Sequence, residues 1–227
     1  MAEQMPLIIL EGKSGTGKST LANLMRQETS AIIMKAPKPD FLITLDNYFN
    51  SERFMASKNT IARFAYHISA FKALEYDIIR MINEGRTVIL DRYILTTIAS
   101  QLAFDFVYNN TKDRETLLYL AKGVREDFSK PDAIVYLTVD EAERRARMLK
   151  RLNNTGIRDL WHNGMDFALV ERCEIERELL LKESKDNGVR IKIVDTTKNA
   201  PDETKEGVLA WLEKESLLRR IARPVAN

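Results

Sequence analysis

Short apolar runs closed by turns or charges recur along the chain at Leu7–Leu10, Phe41–Leu45, Thr87–Leu90, Ala133–Leu137 and Arg190–Val194, with helical periodicity between most of them. Near-continuous apolar runs belong to strands buried on both faces, and strands separated by helices pair in parallel. The pattern predicts an α/β protein with a five-stranded parallel sheet between helices. Ala31-Ile32-Ile33-Met34 is a further, weaker strand candidate, followed by a loop that Pro37 and Pro39 enforce. From Asn59 onward, Ile61, Phe64, Ala65, Ile68, Phe71, Leu74, Ile78 and Met81 step by three and four up to Gly85. That spacing predicts a long amphipathic helix with a glycine stop, and a closing helix is expected over Glu203–Leu218. No repeat or Pro/Gly-rich linker divides the chain, so one domain over residues 1–227 is expected.

The stretch Gly12-Lys13-Ser14-Gly15-Thr16-Gly17-Lys18-Ser19 follows the first apolar run and precedes the helical pattern that begins near Thr20. It fits the phosphate-loop pattern G-x-x-x-x-G-K-[ST] in full. Glycines let backbone N–H groups turn onto phosphate oxygens, the lysine reaches the β- and γ-phosphates, and the hydroxyl suits Mg²⁺. Residues Gly12 to Thr20 are therefore the candidate ATP-binding segment, with the positive end of the next helix aimed at the same anion.

Two acids close apolar runs. Asp91 ends Thr87-Val88-Ile89-Leu90 and is followed by Arg92 and Tyr93. A carboxylate at that place shares Mg²⁺ with the phosphate-loop hydroxyl of Ser19, and Arg92 falls beside the reacting phosphates. Asp46 ends Phe41–Leu45 and is a candidate general base for an acceptor hydroxyl. A GTPase would show glycine three residues after the strand-end acid and a later N-K-x-D element; here Ile94 occupies the first place and the second element is missing.

Composition narrows the partners. Thirty-five Lys and Arg stand against 33 Asp and Glu, a formal charge of +2, so no global field recruits nucleic acid or an anionic membrane. The single cysteine, Cys173, cannot form an internal disulfide, and the first residues carry neither a basic leader nor a long apolar run. A cytoplasmic protein without a membrane segment is expected. Arg144, Arg145, Arg147, Lys150, Arg151 and Arg158 crowd one polar stretch. A helical lid over about 141–165 is read there, its arginines neutralising charge on a transferring phosphoryl group.

Leu10-Glu11-Gly12 before the phosphate loop, then Asp91-Arg92-Tyr93 with Thr96, Ala99 and Gln101, resembles the D-R-Y-x-x-S-x-x-A-Y-Q signature of thymidylate kinases. Pro131-Asp132 before Ala133–Asp140 and Ile193-Val194-Asp195-Thr196-Thr197 resemble two later segments of the same family. The resemblance implies a three-layer P-loop fold with a lid, ATP and Mg²⁺ as cofactors, lid arginines at Arg147 and Arg151, and a homodimer. The chain departs at Lys35-Ala36-Pro37-Lys38-Pro39, at Ile68 where an arginine is expected, and at Ser100 in place of a tyrosine. Asp46-Asn47-Tyr48-Phe49 resembles instead the D-x-[FY]-[FY] of uridine-kinase-like enzymes, whose aspartate is the base.

The expectation is an ATP-dependent kinase acting on a nucleoside- or nucleotide-like acceptor through Lys18, Asp46, Arg92, Arg147 and Arg151. A hydroxyl within DNA or RNA, or in another small molecule, stays open as acceptor, and a regulatory ATPase is the second alternative.

Overall fold

The structure, a computed structural model, describes residues 5–36, 59–155, 167–218 and 220. Its elements in chain order are β1 (Leu7–Gly12), α1 (Lys18–Glu28), β2 (Ile32–Lys35), α2 (Thr60–Asn83), β3 (Val88–Asp91), α3 (Ile94–Tyr108), α4 (Arg114–Asp127), β4 (Ala133–Thr138), α5 (Glu141–Thr155), α6 (Phe167–Asp186), β5 (Arg190–Asp195) and α7 (Pro201–Lys214). All strand pairs are parallel, in the order β2-β3-β1-β4-β5.

Alternate residues of the central strands feed opposite faces, as the pleat requires. Leu7, Ile9, Val88, Leu90, Ile134 and Tyr136 pack with Phe71 and Leu74 of α2, Ile98 of α3 and Leu180 of α6. Ile8, Leu10, Ile89, Val135 and Leu137 pack with Leu21 and Met25 of α1 and Val208 and Leu212 of α7. Two cores on one sheet give the three layers that the apolar runs predict.

The long helix starts where Asn59 accepts a hydrogen bond from the Ala62 N–H at 2.9 Å and stops before Gly85, whose φ is +76°. The closing helix is shorter than expected and ends at Lys214. The edge of the sheet differs from the sequence expectation. Ile32–Lys35, the weaker candidate, takes the place beside β3, while Phe41–Leu45 and Asp46 lie outside the described residues. An edge strand needs one covered face, so a short half-buried run suffices there.

The chain leaves β1 toward β2 and leaves the neighbouring β4 toward β5, in opposite directions. Ligands of open α/β sheets collect outside the carboxyl ends of strands at such a switch point. No helix among the described residues is long and apolar enough to cross a membrane.

Candidate active site

The loop between β1 and α1 opens a cleft of about 1120 Å³ whose walls include Gly15–Leu21, Asp91, Arg92, Arg144, Arg147 and Arg151. Gly12 has φ +138°, and a Cβ there would stand 2.3 Å from the Leu137 carbonyl oxygen on β4. Only glycine lets the loop leave the sheet at that point. Gly15 lies under α5, where a Cβ would meet Arg144 Cγ at 3.1 Å and Met148 Cγ at 3.2 Å.

Lys18 is 5% exposed and its Nζ donates to the Gly12 carbonyl at 2.9 Å and the Lys13 carbonyl at 2.6 Å. Burial, and after it the Arg92 charge, pushes its ammonium down to about 7. An anion seated in the loop would favour the charged form again.

The register Leu10↔Asp91 sets the strand-end acid beside the start of α1. Ser19 Oγ donates to Asp91 Oδ2 at 2.7 Å, while Asp91 Oδ1 is buried with no hydrogen-bond partner among the described residues. An orphaned carboxylate oxygen next to a serine hydroxyl fits a hard cation that takes its other ligands from phosphate and water, as Mg²⁺ does. No group of three or more His, Cys, Asp or Glu among the described residues could hold a metal by itself.

Arg92 has φ +75°, a conformation uncommon for a side-chain-bearing residue. It is held by its N–H to the Leu10 carbonyl at 3.0 Å. Its guanidinium turns back on the loop, donating to the Gly12 carbonyl at 3.3 Å and to Ser14 Oγ at 3.4 Å. Glu11, fully buried on β1, fastens the same turn by accepting from the Tyr93 N–H at 3.2 Å and from Thr96 Oγ1 at 2.6 Å. Glu11 escaped the sequence reading as a functional position, although a charge inside an apolar strand is a visible signal.

On α5 the arginines part company. Arg144 is paired with Glu141 at 2.7 Å over Gly15. Arg147 reaches β5's exit loop, donating to Thr196 Oγ1 at 3.0 Å and the Thr196 carbonyl at 2.6 Å. Arg151 is exposed and lines the cleft. Arg158, Trp161 and His162 lie outside the described residues, as do residues 156–165 of the expected lid.

The structure thus gathers Lys18, Ser19, Asp91, Arg92, Arg147 and Arg151 around one cleft. Two arginines were missed. Arg63, one position before Phe64 on α2, is buried with Nε 3.3 Å from Gln101 Oε1 and its guanidinium 4.4 Å from the Phe104 ring centre. The helix expected to lack an arginine at Ile68 carries a buried one a turn and a half earlier. Arg177 lines the cleft from α6, with Leu169, Val170, Cys173 and Glu174. Asp132, from the Pro131-Asp132 segment, is structural: its Oδ2 accepts from the Leu7 N–H at 2.8 Å and fixes the start of β1.

The sequence model of the thymidylate kinase family matches residues 10–207. A curated thymidylate kinase from Leptospira borgpetersenii is 26% identical over 161 residues, which cover 67% of this chain and 72% of that protein. Among solved structures, a thymidylate kinase from Candida albicans superimposes with a TM-score of 0.70 at 21% identity, over 96% of this chain and 99% of that one. One from Ehrlichia chaffeensis gives 0.59 at 16% identity, over 92% and 100%. At such identities the two structures speak for the fold, and the family match speaks for the chemistry. The regulatory-ATPase and hydroxyl-acceptor alternatives are not favoured by it. Running from the phosphate loop into the last helix, that match establishes that the chain belongs to the thymidylate kinase family and is an ATP-dependent, Mg²⁺-using nucleotide kinase.

Proposed function

We propose that the chain transfers the γ-phosphoryl group of ATP to the phosphate of a nucleoside monophosphate, with thymidylate as the acceptor. The observation that carries this reading is the convergence of Lys18, the Ser19–Asp91 pair and Arg92 at the carboxyl ends of β1 and β3. Lys18 exchanges the carbonyls of Gly12 and Lys13 for phosphate oxygens of ATP, joined by the amides of Gly12, Lys13, Ser14, Gly15, Thr16, Gly17, Ser19 and Thr20. Ser19 and Asp91 hold Mg²⁺, which when bound neutralises charge on the phosphate oxygens. Arg92 faces the phosphoryl group in transit, and Arg147 and Arg151 approach it from the α5 side.

A monophosphate acceptor attacks through an oxygen already ionised at neutral pH, since its second pKa is about 6. It needs no general base, so Asp46 carries no proton transfer in this reading. A homodimer belongs to the same proposal and is read by light scattering on the purified protein.

Labelled ATP is offered with nucleosides, nucleoside monophosphates and oligonucleotides, to the wild-type chain and to Asp46→Asn. The expected product is thymidine diphosphate, with Asp46→Asn within severalfold of wild type. Label entering a nucleoside hydroxyl, with turnover in Asp46→Asn reduced by about 10²–10⁴, would overturn the monophosphate acceptor and restore Asp46 as the base.

A further inference from the structure

Where β5 ends, one buried side chain ties the sheet to the phosphate loop. Thr196 is 4% exposed, and its Oγ1 lies 3.1 Å from the Thr16 carbonyl oxygen and 3.0 Å from the Thr138 carbonyl oxygen at the end of β4. A hydroxyl has a single hydrogen to give. The Thr138 carbonyl already accepts from the Thr196 N–H at 2.9 Å, which leaves the hydroxyl hydrogen for Thr16. Arg147 of α5 fills the acceptor side of the same oxygen: its Nη1 donates to Thr196 Oγ1 at 3.0 Å and its Nη2 to the Thr196 carbonyl at 2.6 Å. Glu143 Oε1 aims the guanidinium, accepting from its Nε at 2.8 Å. A cationic donor on the hydroxyl oxygen turns the hydroxyl hydrogen away from itself, toward the carbonyls, and strengthens it as a donor.

The Thr16 carbonyl matters because of the amide behind it. A trans peptide holds its N–H opposite its C=O, so a Thr16 carbonyl fixed on the exit of β5 turns the Gly17 N–H the other way, to the side on which loop amides meet phosphate. Little else selects that orientation. Gly17 has φ +93° and no atom among the described residues within 4 Å of the place its Cβ would take, and Gly15 just before it also has positive φ. Glycine on both sides leaves the peptide planes here without the side-chain constraints that fix them elsewhere. The Thr16 side chain is spent within the loop, its Oγ1 donating to the Lys13 carbonyl at 2.9 Å.

We infer that Thr196 is a positioning residue for the donor nucleotide: its hydroxyl, aligned by Arg147, holds the Thr16–Gly17 peptide so that the Gly17 N–H is presented to the phosphates of ATP. Arg147 thereby acts on the loop through Thr196, and its remaining N–H donors are left for the phosphoryl group in transit. The seating of α5 is coupled to the geometry of the phosphate loop by two hydrogen bonds in series. The inference rests on the loop amides of the preceding reading and does not depend on which acceptor is used.

The full chain is titrated calorimetrically with Mg·ADP, which lacks the phosphoryl group in transit, so a direct contact of Arg147 with that group does not enter the affinity. Thr196→Val keeps the size and removes the hydroxyl; it is expected to weaken Mg·ADP by about 3–10-fold, the worth of one hydrogen bond, and Thr196→Ser to restore the wild-type affinity. Arg147→Met is expected to lose a similar factor, and the double variant Thr196→Val with Arg147→Met no more than the weaker single, because both act on one chain of hydrogen bonds. The KM for thymidylate at saturating ATP stays at the wild-type value in Thr196→Val, a split that general loosening of the fold does not give. Melting curves establish that each variant is folded. If Thr196→Val is not, Arg147→Met decides: unchanged Mg·ADP affinity overturns the inference. Losses that multiply in the double variant, a Thr196→Ser protein as weak as Thr196→Val, or an equal rise in the thymidylate KM overturn it as well. Wild-type protein that does not take up Mg·ADP refutes the preceding reading of the loop. Wild-type protein that binds it, with Thr196→Val at unchanged affinity, refutes this inference alone.

Discussion

Gly12 makes the sharpest stability prediction, because the sheet and the phosphate loop meet at its Cα. In Gly12→Ala the new Cβ stands 2.3 Å from the Leu137 carbonyl oxygen and 3.1 Å from Thr16 Oγ1, against an ordinary contact that begins at 3.4 Å. Leu137 is Gly12's register partner in β4 and is 1% exposed. The two strand ends must therefore part by about 1 Å inside a sheet whose strand spacing is close to 4.8 Å. Forced overpacking of that kind costs about 1–3 kcal/mol, and the backbone at φ +138° adds about 1–3 kcal/mol for a residue with a side chain. The expected loss is about 2–6 kcal/mol, a large share of a domain's stability.

Two glycines with positive φ but open surroundings calibrate the backbone part. Gly17 at φ +93° and Gly188 at φ +82° have nothing within 4 Å of an added Cβ among the described residues, so each alanine variant should lose only about 1–2 kcal/mol. Urea unfolding of the three variants, followed by far-UV circular dichroism, measures the differences at constant slope. ATP affinity of the folded fractions separates the loop from the fold: it falls for Gly12→Ala and Gly17→Ala and is unchanged for Gly188→Ala. A Gly12→Ala protein no less stable than Gly188→Ala would refute the steric argument, and with it the placement of the loop against β4.

Arg147→Met removes both hydrogen bonds to Thr196, so kcat/KM for ATP should fall by about 10–100-fold; an unchanged value would show that this arginine does not serve the nucleotide. The half-buried Cys173 thiol is pushed up to about 11 by desolvation. Iodoacetamide at pH 8 should therefore label it about 10²-fold more slowly than an ordinary thiol, a clean readout because Cys173 is the chain's one cysteine. Labelling at the ordinary rate would place it outside the wall of the cleft. The Glu141 carboxyl is held down to about 2, first by its hydrogen bond from Arg144. A carboxylate depressed in the fold stabilises above its unfolded pKa and loses that contribution as pH falls through its folded value. The stability difference between wild type and Glu141→Gln should accordingly vanish between pH 4.5 and 2, and since the side chain is 42% exposed, it should not exceed about 1 kcal/mol. A difference that persists at pH 2 would refute the pairing.

What the sequence made legible has a common physical basis. The phosphate loop, Asp91 and Arg92 sit at ends of strands whose neighbours in the chain reveal them, and a strand end in an open α/β sheet already points at the ligand. The long helix α2 was visible through its apolar stripe and its terminal signals, Asn59 and Gly85. The edge of the sheet was less legible: Phe41–Leu45 is the more strand-like run, but the place beside β3 is filled by Ile32–Lys35, half-buried and one residue short of the cleft-lining Ala36. Arg63 and Arg177 were hidden for another reason. A polar residue on a helix is read as facing water by default, and the default fails where one helix packs against another, as α2 and α6 do against α3. In α6 charges occupy Glu171, Arg172, Glu174, Glu176, Arg177 and Glu178, so no apolar stripe tells which of them turns inward. Packing of α6 against α3 decides it, burying Glu176 and Arg177 and leaving Glu171 and Glu178 exposed. In the proposed function the strand ends set the phosphoryl transfer, and the faces of α3 and α6 that line the cleft are left to the acceptor. It follows that substitutions on α6 and α3 should change which acceptor is used while leaving ATP handling to the loop and the strand-end acid.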